Sequence, residues 1–288
     1  LAEIIRRFTA QSSRRIYNAH LRMVVFGEDV AKDGIQNILD YFARNYEYRT
    51  DFYFVVARNT TASEVLGVLT PIEAIPGIDM YNSLRTSAEE WAPTKSIRII
   101  ELANSIVADG KNPVLTGIEI SRGEISPKST DVLKQSDEYK RLKYTGLGAF
   151  KKDKLAGWLD EDESKGYNYI AGNVKRTVEY ADYGGKVKIT SEIINAESST
   201  KVYLLNNRPA IDVEIKIKQN IGIVEGEFDV STEENKKVLN EISASRVKSL
   251  CEKALNKAQN ELKTDIFGFG EAIHRKYPKV WEKFKDDW

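Results

Sequence analysis

Apolar and polar positions in the first third of the chain follow two different periods. Ile35, Ile38, Leu39 and Phe42 fall on one face of a helix running to about Tyr46. Ahead of them, His20–Phe26 reads as a strand ending at Gly27. After them, Asp51–Arg58 is apolar on both faces, as in a strand covered on both sides. Strand, helix and strand in this order predict a parallel βαβ unit. Ile4, Ile5 and Phe8 have helical spacing, with Arg6 and Arg7 opposite. Ala62–Leu69 reads as a short helix, and Ser96–Asp109 as a longer amphipathic one that Gly110 terminates. Between them Pro71, Pro76 and Gly77 read as a break. Val114–Ile120 returns as a strand.

Ser121–Tyr139 is polar, with few large apolar residues, and predicts a long hairpin tip or an interdomain stretch. Gly146–Asn173 fits two short strands separated by Lys151–Lys154, then a short helix. From Tyr180 the pattern changes to long alternation. Val187 and Ile189 alternate with Lys186, Lys188 and Thr190, and Ile211, Val213, Ile215 and Ile217 with Asp212, Glu214, Lys216 and Lys218. That is an antiparallel sheet with one dry and one wet face. Asn206-Asn207 followed by Pro209 supplies a turn. Ser231–Glu234 has capping-box spacing ahead of a long helix to about Lys263. Phe269, Ile273, Tyr277, Trp281 and Phe284 outline a terminal aromatic helix that should pack in the core, kinked or broken by Pro278 near Tyr277. The expected class is α+β with a mixed α/β N-terminal part. The change of period predicts three modules: residues 1–141 as α/β, 142–179 as a small mixed unit, and 180–288 as an antiparallel sheet packed by long helices.

Composition narrows the function classes. A chain of 288 residues suits two domains, or three small ones, at about 150 residues per domain. Lys+Arg and Asp+Glu are both 43, so the basic excess typical of a duplex-binding protein is missing. The single cysteine, Cys251, makes no internal disulfide. No window approaches the roughly 18 apolar residues of a membrane span. The chain opens at Leu1 without a charged and apolar leader, which points to a missing N-terminal segment.

Candidate chemistry is sparse. The two histidines, His20 and His274, have no other ligand type at metal-binding spacing, so no metal is expected. Cys251 lies mid-helix beside Leu250, Ala254 and Leu255 and reads as a small buried hydrophobe. Asp160, Glu161, Asp162 and Glu163 could supply a glycosidase pair. Consecutive acids at a helix start, however, favour the macrodipole and cap the first turn. GLGAF at Gly146 has two of the three glycines of a dinucleotide loop and no helix start after it. Asn59-Thr60-Thr61 matches a glycosylation acceptor, a pattern common by chance. Arg6, Arg7, Arg14, Arg15 and Arg22 make the N-terminal stretch basic, which suits a solvated face or attraction to anionic headgroups. No catalytic, cofactor-binding or metal-ligating residue is predicted.

Three blocks carry a family resemblance: VVFGEDVAKDGIQNILDYFARNYEYRTDFYFVVARNTTASEVL from Val24 to Leu66, GLGAFKKDKLAGWLDEDESKGYNYI from Gly146 to Ile170, and DIFGFGEAIHRKYPKVWEKFKDDW from Asp265 to Trp288. In this order they resemble the C subunit of spore germinant receptors, the Ger(x)C lipoprotein family of spore-forming bacteria. The middle block is the most specific, with Phe150, Lys151, Lys152, Lys154, Leu155, Trp158 and Leu159. The resemblance implies a three-domain protein of unusual topologies, not an enzyme, without a cofactor. It implies a lipid anchor on the outer face of the inner spore membrane, and integral membrane A and B subunits as partners, with no nucleic acid. The family's signal peptide and lipid-accepting cysteine do not occur in this sequence, and members usually continue past the position of Trp288 into a terminal β-strand. Cys251 cannot be the lipidated residue, because that cysteine becomes the mature N-terminus. Two other readings stay open: a module that itself binds the nutrient, and a cell-wall hydrolase using Glu161 and Glu163. The candidate contact surfaces are loops around Pro71–Leu84 and the block Lys151–Tyr169.

Overall fold

A computed structural model describes residues 2–7, 10, 18–70, 73, 75–121, 141–185 and 187–288. The chain divides into two compact units: Leu1–Leu84 with Ser96–Ala108 and Asn112–Gly157, and Arg85–Lys95 with Asp109–Lys111 and Trp158–Trp288.

The first unit is built on a sheet of five strands in the order β1 (Met23–Gly27), β2 (Tyr53–Ala57), β3 (Val114–Ser121), β4 (Arg141–Lys151) and β5 (Lys154–Leu159). β1, β2 and β3 run parallel, and β4 is antiparallel to β3. The predicted βαβ unit is therefore present. All five residues of β2 are buried, which accounts for their apolar character on both faces. Phe26 stacks on Phe54 at 5.6 Å between ring centroids, and Phe42 meets Phe54 edge-on at 6.2 Å. The helices are α1 (Ala2–Arg7), α2 (Glu28–Asp33), α3 (Gln36–Arg44), α4 (Ala62–Leu66), α5 (Pro76–Glu90) and α6 (Ile99–Val107). Residues Arg85–Glu90 of α5 belong to the second unit.

Several expectations change. His20 closes a 3-10 turn, Asn18–His20, and the first strand begins only at Met23. Pro76 and Gly77 start a helix instead of breaking one. Proline suits the first helical position because its missing N–H would be unpaired there anyway. Phe8 and most of Ser121–Tyr139 lie outside the described residues. The expected boundary at 141/142 falls at the first residues of β4, which pairs with β3 along its length. The block 142–179 is thereby divided: β4 joins the sheet of the first unit, and the helix that follows β5 packs in the second.

The second unit contains α7 (Glu161–Ile170), β6 (Thr177–Tyr183), β7 (Val187–Leu205), β8 (Arg208–Glu225), α8 (Glu233–Asn256), α9 (Phe269–Lys276) and α10 (Pro278–Phe284). The three strands form an antiparallel sheet in sequence order, as the alternation predicted. Asn206 and Asn207 join β7 to β8 with φ of 51° and 61°. Two adjacent left-handed residues make the turn whose twist matches a hairpin. α8 starts at Thr232, whose hydroxyl accepts from the Asn235 N–H. Ser231 turns away to donate to Asp229, so no reciprocal box forms there. A π-turn, Lys257–Glu261, ends the helix. The aromatic segment breaks at Tyr277, as Pro278 requires, and Trp281 is buried. Asp265 organises the turn between α8 and α9: its carboxylate accepts from the backbone N–H groups of Phe267, Gly268, Phe269 and Gly270 and from the Trp288 indole.

α7 crosses α8 with almost no separation. A Cβ built on Gly166 would lie 2.0 Å from the Leu250 carbonyl oxygen, so only glycine fits. This brings Leu250, Cys251 and Ala254 of α8 into one core with Tyr169, Ile170 and Phe269.

Candidate functional site

The second unit holds two neighbouring features on α8. The first is an apolar groove. β8 presents Ile211, Val213, Ile215 and Ile217 at period 2, all half-buried. α8 presents Val247, Cys251 and Leu255 at successive turns of one face. Between these rows runs a groove of about 620 Å³, its lining completed by Ile170, Phe269 and Trp288. Lys248 and Glu252 bring its charged groups and pair with each other at 3.8 Å.

The second feature is a buried charge cluster that ties α7, β6 and α8 together. The Lys165 and Glu179 side chains are 4% and 5% exposed, with Nζ 3.8 Å from Oε2. Lys165 also lies 4.3 Å above the Trp91 ring and donates to the Val178 carbonyl. Arg246 reaches Glu179 at 3.5 Å and Asp162 at 2.8 Å, and Lys253 reaches Asp162 at 2.5 Å. The Tyr169 hydroxyl donates to Glu179 at 3.1 Å. Desolvation holds the Glu179 carboxyl above its ordinary range, although Lys165, Arg246 and Tyr169 pull the other way. Asp162 is desolvated too, but Lys253 and Arg246 outweigh that and hold it below the usual carboxylate range.

The cluster predicts a pH-dependent defect. Removing one partner of a buried ion pair leaves an uncompensated charge, so Lys165→Met should destabilise the unit by roughly 3 kcal/mol at neutral pH. Glu179 has a folded pKa above its unfolded value, so its protonation favours the fold. The Lys165→Met deficit should therefore narrow as pH falls into the carboxylate range. Urea unfolding at neutral and mildly acidic pH checks this; an equal deficit at both would contradict it.

The sequence candidates lie as follows. Cys251 is buried, and burial pushes its thiol up to about 12, so at neutral pH it is a packing group and not a nucleophile. The acidic run starts α7 as a reciprocal cap: Asp160 Oδ1 accepts from the Glu163 N–H and Glu163 Oε2 from the Asp160 N–H, both at 2.8 Å. Asp162 turns into the charge cluster. His274 stacks on Trp281 at 5.9 Å. Among the described residues no group of three or more His, Cys, Asp or Glu is placed to hold a metal ion. Gly146 lies within β4, followed by the buried Leu147, Ala149 and Phe150, which is a strand and not a phosphate loop. Thr61 caps α4 reciprocally with Glu64. Arg7 pairs with Glu3 at 3.4 Å and Arg22 with Asp51 at 2.7 Å, while Arg14 and Arg15 lie outside the described residues.

The two candidate contact surfaces are less exposed than loops would be. Pro76–Leu84 is helical, with Met80 and Leu84 in the core of the first unit. In Lys151–Tyr169, only the hairpin tip at Lys151 and Lys152 and scattered positions face solvent, while α7 is buried from Ser164 to Ile170. The charge cluster went unread in the sequence. Lys165, Glu179 and Arg246 lie on three elements and share no spacing. The one local signal was Gly166, a glycine inside a helical pattern, which marks a close approach.

Two family models match the chain. One, described as the spore germination protein N-terminal domain, matches residues 1–120, and the other, spore germination B3/GerAC like, C-terminal, matches residues 145–288. Spore germination protein KC of Bacillus subtilis (strain 168) is 31% identical over all of this chain and 71% of its own length. Spore germination protein B3 of the same organism is 25% identical over 95% of this chain and 69% of its own. The crystal structure of the GerBC protein superposes with a TM-score of 0.69 at 22% identity, covering 98% of this chain and 77% of that one. It shares the mixed α+β fold, including the C-terminal antiparallel sheet.

Proposed function

We propose that this chain, which belongs to the spore germination B3/GerAC-like family, is the C-type subunit of a nutrient germinant receptor and contributes binding and assembly, not catalysis. The observation that carries the reading is the match of both parts of the chain, in order, to spore germination proteins. The chemistry of the chain agrees with it. The only thiol is buried and protonated, the acidic run caps a helix, and the groove between β8 and α8 is lined mainly by apolar side chains.

In this reading the partners are the two integral membrane subunits of the receptor, and a lipid chain on an upstream cysteine holds the protein at the outer face of the inner spore membrane. A buried acyl chain contributes about 0.8 kcal/mol per methylene, enough to concentrate a protein at a bilayer without a spanning helix. Confinement raises effective concentration, so modest protein contacts can hold the complex. Among the described residues no helix is long and apolar enough to cross a membrane.

Direct capture of the nutrient by this subunit is disfavoured by the groove's lining. Amino acids and sugars bring polar groups that a wall of Ile211, Val213, Ile215 and Ile217 leaves unpaired. Germinants should therefore leave the melting temperature of the purified chain unchanged. A saturable upward shift with one nutrient would move ligand recognition to this subunit.

The in vivo test is genetic. Spores lacking the protein should lose their response to the receptor's nutrient and regain it with the intact gene. A version lacking only the lipid-accepting cysteine should fold yet respond poorly. Wild-type germination from that version, with the protein free of the membrane, would overturn the membrane-assembly reading.

A further inference from the structure

The β4–β5 hairpin of the first unit carries a charge cluster that the receptor role leaves unused. β4 ends at Lys151 and β5 begins at Lys154, so the turn between them is Lys152-Asp153. Lys152 is left-handed, with φ of 56°. Lys151, Lys152 and Lys154 are all exposed. A two-residue turn brings its flanking residues, here Lys151 and Lys154, together at its mouth. Like charges facing each other across a hairpin oppose its pairing, so this arrangement works against the fold.

The one acid of the turn is engaged elsewhere. The Asp153 carbonyl accepts from the Ile35 N–H at 3.0 Å, and its carboxylate accepts from the Gln36 N–H at 3.3 Å. Asp153 thereby supplies the cap that Ile35, at the N-cap position of α3, has no side chain to make. Its carboxylate lies so close to Gly34 that a Cβ there would come within 2.6 Å of Oδ2. On the other flank the Lys152 N–H donates to Asn112 Oδ1 at 2.6 Å, and the Phe150 N–H to the Pro113 carbonyl at 3.0 Å. The tip is therefore pinned on both flanks with its lysines outward. Among the described residues none of the three ammonium groups has an ion-pair partner. In the facing stretch Lys32–Gln36, Lys32 pairs with Glu28 at 2.8 Å, and Asp33 is the only acid.

We propose that this tip docks on the anionic lipid headgroups of the membrane that carries the protein, as a second contact beside the lipid anchor. The proposal rests on the membrane-tethered reading and adds the surface that meets the bilayer. Three exposed lysines on a hairpin turn present a convex surface, which suits a plane of headgroups and offers no groove to a peptide. Lysine is a compact point charge on a flexible stem, so it suits mobile phosphates that need no bidentate register. Acidic and basic residues balance at 43 each, so the chain as a whole has no net attraction to an anionic surface. The attraction must come from a local cluster. Such a surface potential fades within about 10 Å at 0.1 M salt, which favours charges held at a tip.

The test uses this chain without a lipid anchor. Sucrose-loaded vesicles of phosphatidylcholine, with or without an equal part of phosphatidylglycerol, are sedimented with the protein at low ionic strength. The chain is expected to sediment with the anionic vesicles only, and to be released by salt. Each lysine at an anionic surface is worth about fivefold in partitioning, so Lys151→Gln, Lys152→Gln and Lys154→Gln together should weaken binding about a hundredfold. The same changes at Lys218, Lys237 and Lys283, exposed lysines of the second unit, alter the net charge equally and should leave binding nearly unchanged. All six positions are exposed, so circular dichroism should show the same fold in both variants. No sedimentation with anionic vesicles, or equal losses from the two triple variants, would overturn the proposal. Neither result bears on the receptor role, which co-purification of the membrane subunits tests separately.

Discussion

Gly166→Ala should unfold the C-terminal unit at markedly lower denaturant than the parent chain, with a loss of about 3 kcal/mol or more. The added methyl would meet the Leu250 carbonyl oxygen at 2.0 Å and its carbon at 2.5 Å. Both are helix backbone, so no rotamer change relieves the overlap, and α7 and α8 must separate. Separation opens the core around Leu250 and Ala254, both fully buried, and pulls Asp162 away from Arg246 and Lys253 on α8. Gly77→Ala is the matched control. Its Cβ would meet nothing within 4 Å, and alanine is the better helix former there. Equal unfolding midpoints for the two variants would show that the helices do not meet at Gly166.

Trp281→Ala should cost about 3–5 kcal/mol, the usual range for truncating a buried tryptophan. The ring is 2% exposed, lies against Gly270, stacks with His274 and meets Trp288 edge-on. Its indole nitrogen has no hydrogen-bond partner, so the loss is one of packing, and Trp281→Phe should recover most of it. Lys283→Ala, on the exposed side of the same helix, should leave the melting temperature unchanged. Equal shifts from Trp281→Ala and Lys283→Ala would place this helix on the surface.

Much of the fold was legible because it is written in local periods. The doubly covered β2, the alternation of β7 and β8, the Asn206-Asn207 turn and the break at Pro278 each follow from neighbouring residues. The cap at Asp160 and Glu163 was legible for the same reason: a capping box spans only one helical turn. α5 was missed because proline and glycine usually punctuate, and the first helical turn is where they do not. The split of 142–179 between two units was hidden because strand pairing is non-local: β4 belongs where β3 is, whatever its neighbours in sequence.

The site was less legible than the fold. The apolar row of β8 was visible in the sequence, but not that Val247, Cys251 and Leu255 of α8 form the other side of a groove along it. The partners of Glu179 come from α7 and α8, and nothing in their local sequence marks them as neighbours. The family resemblance came from a different source. A block such as Phe150–Leu159 has no common structural reason to recur, so its match carries ancestry where periodicity carries only shape.

The central claim is that the protein works as one subunit of a membrane-bound receptor. Affinity purification of the tagged, lipidated full-length protein from solubilised inner spore membranes tests it most directly. The two integral membrane subunits should co-purify in constant proportion, and should be lost when the lipid-accepting cysteine is replaced. Recovery of the lipidated protein alone, from membranes that contain both other subunits, would contradict the claim.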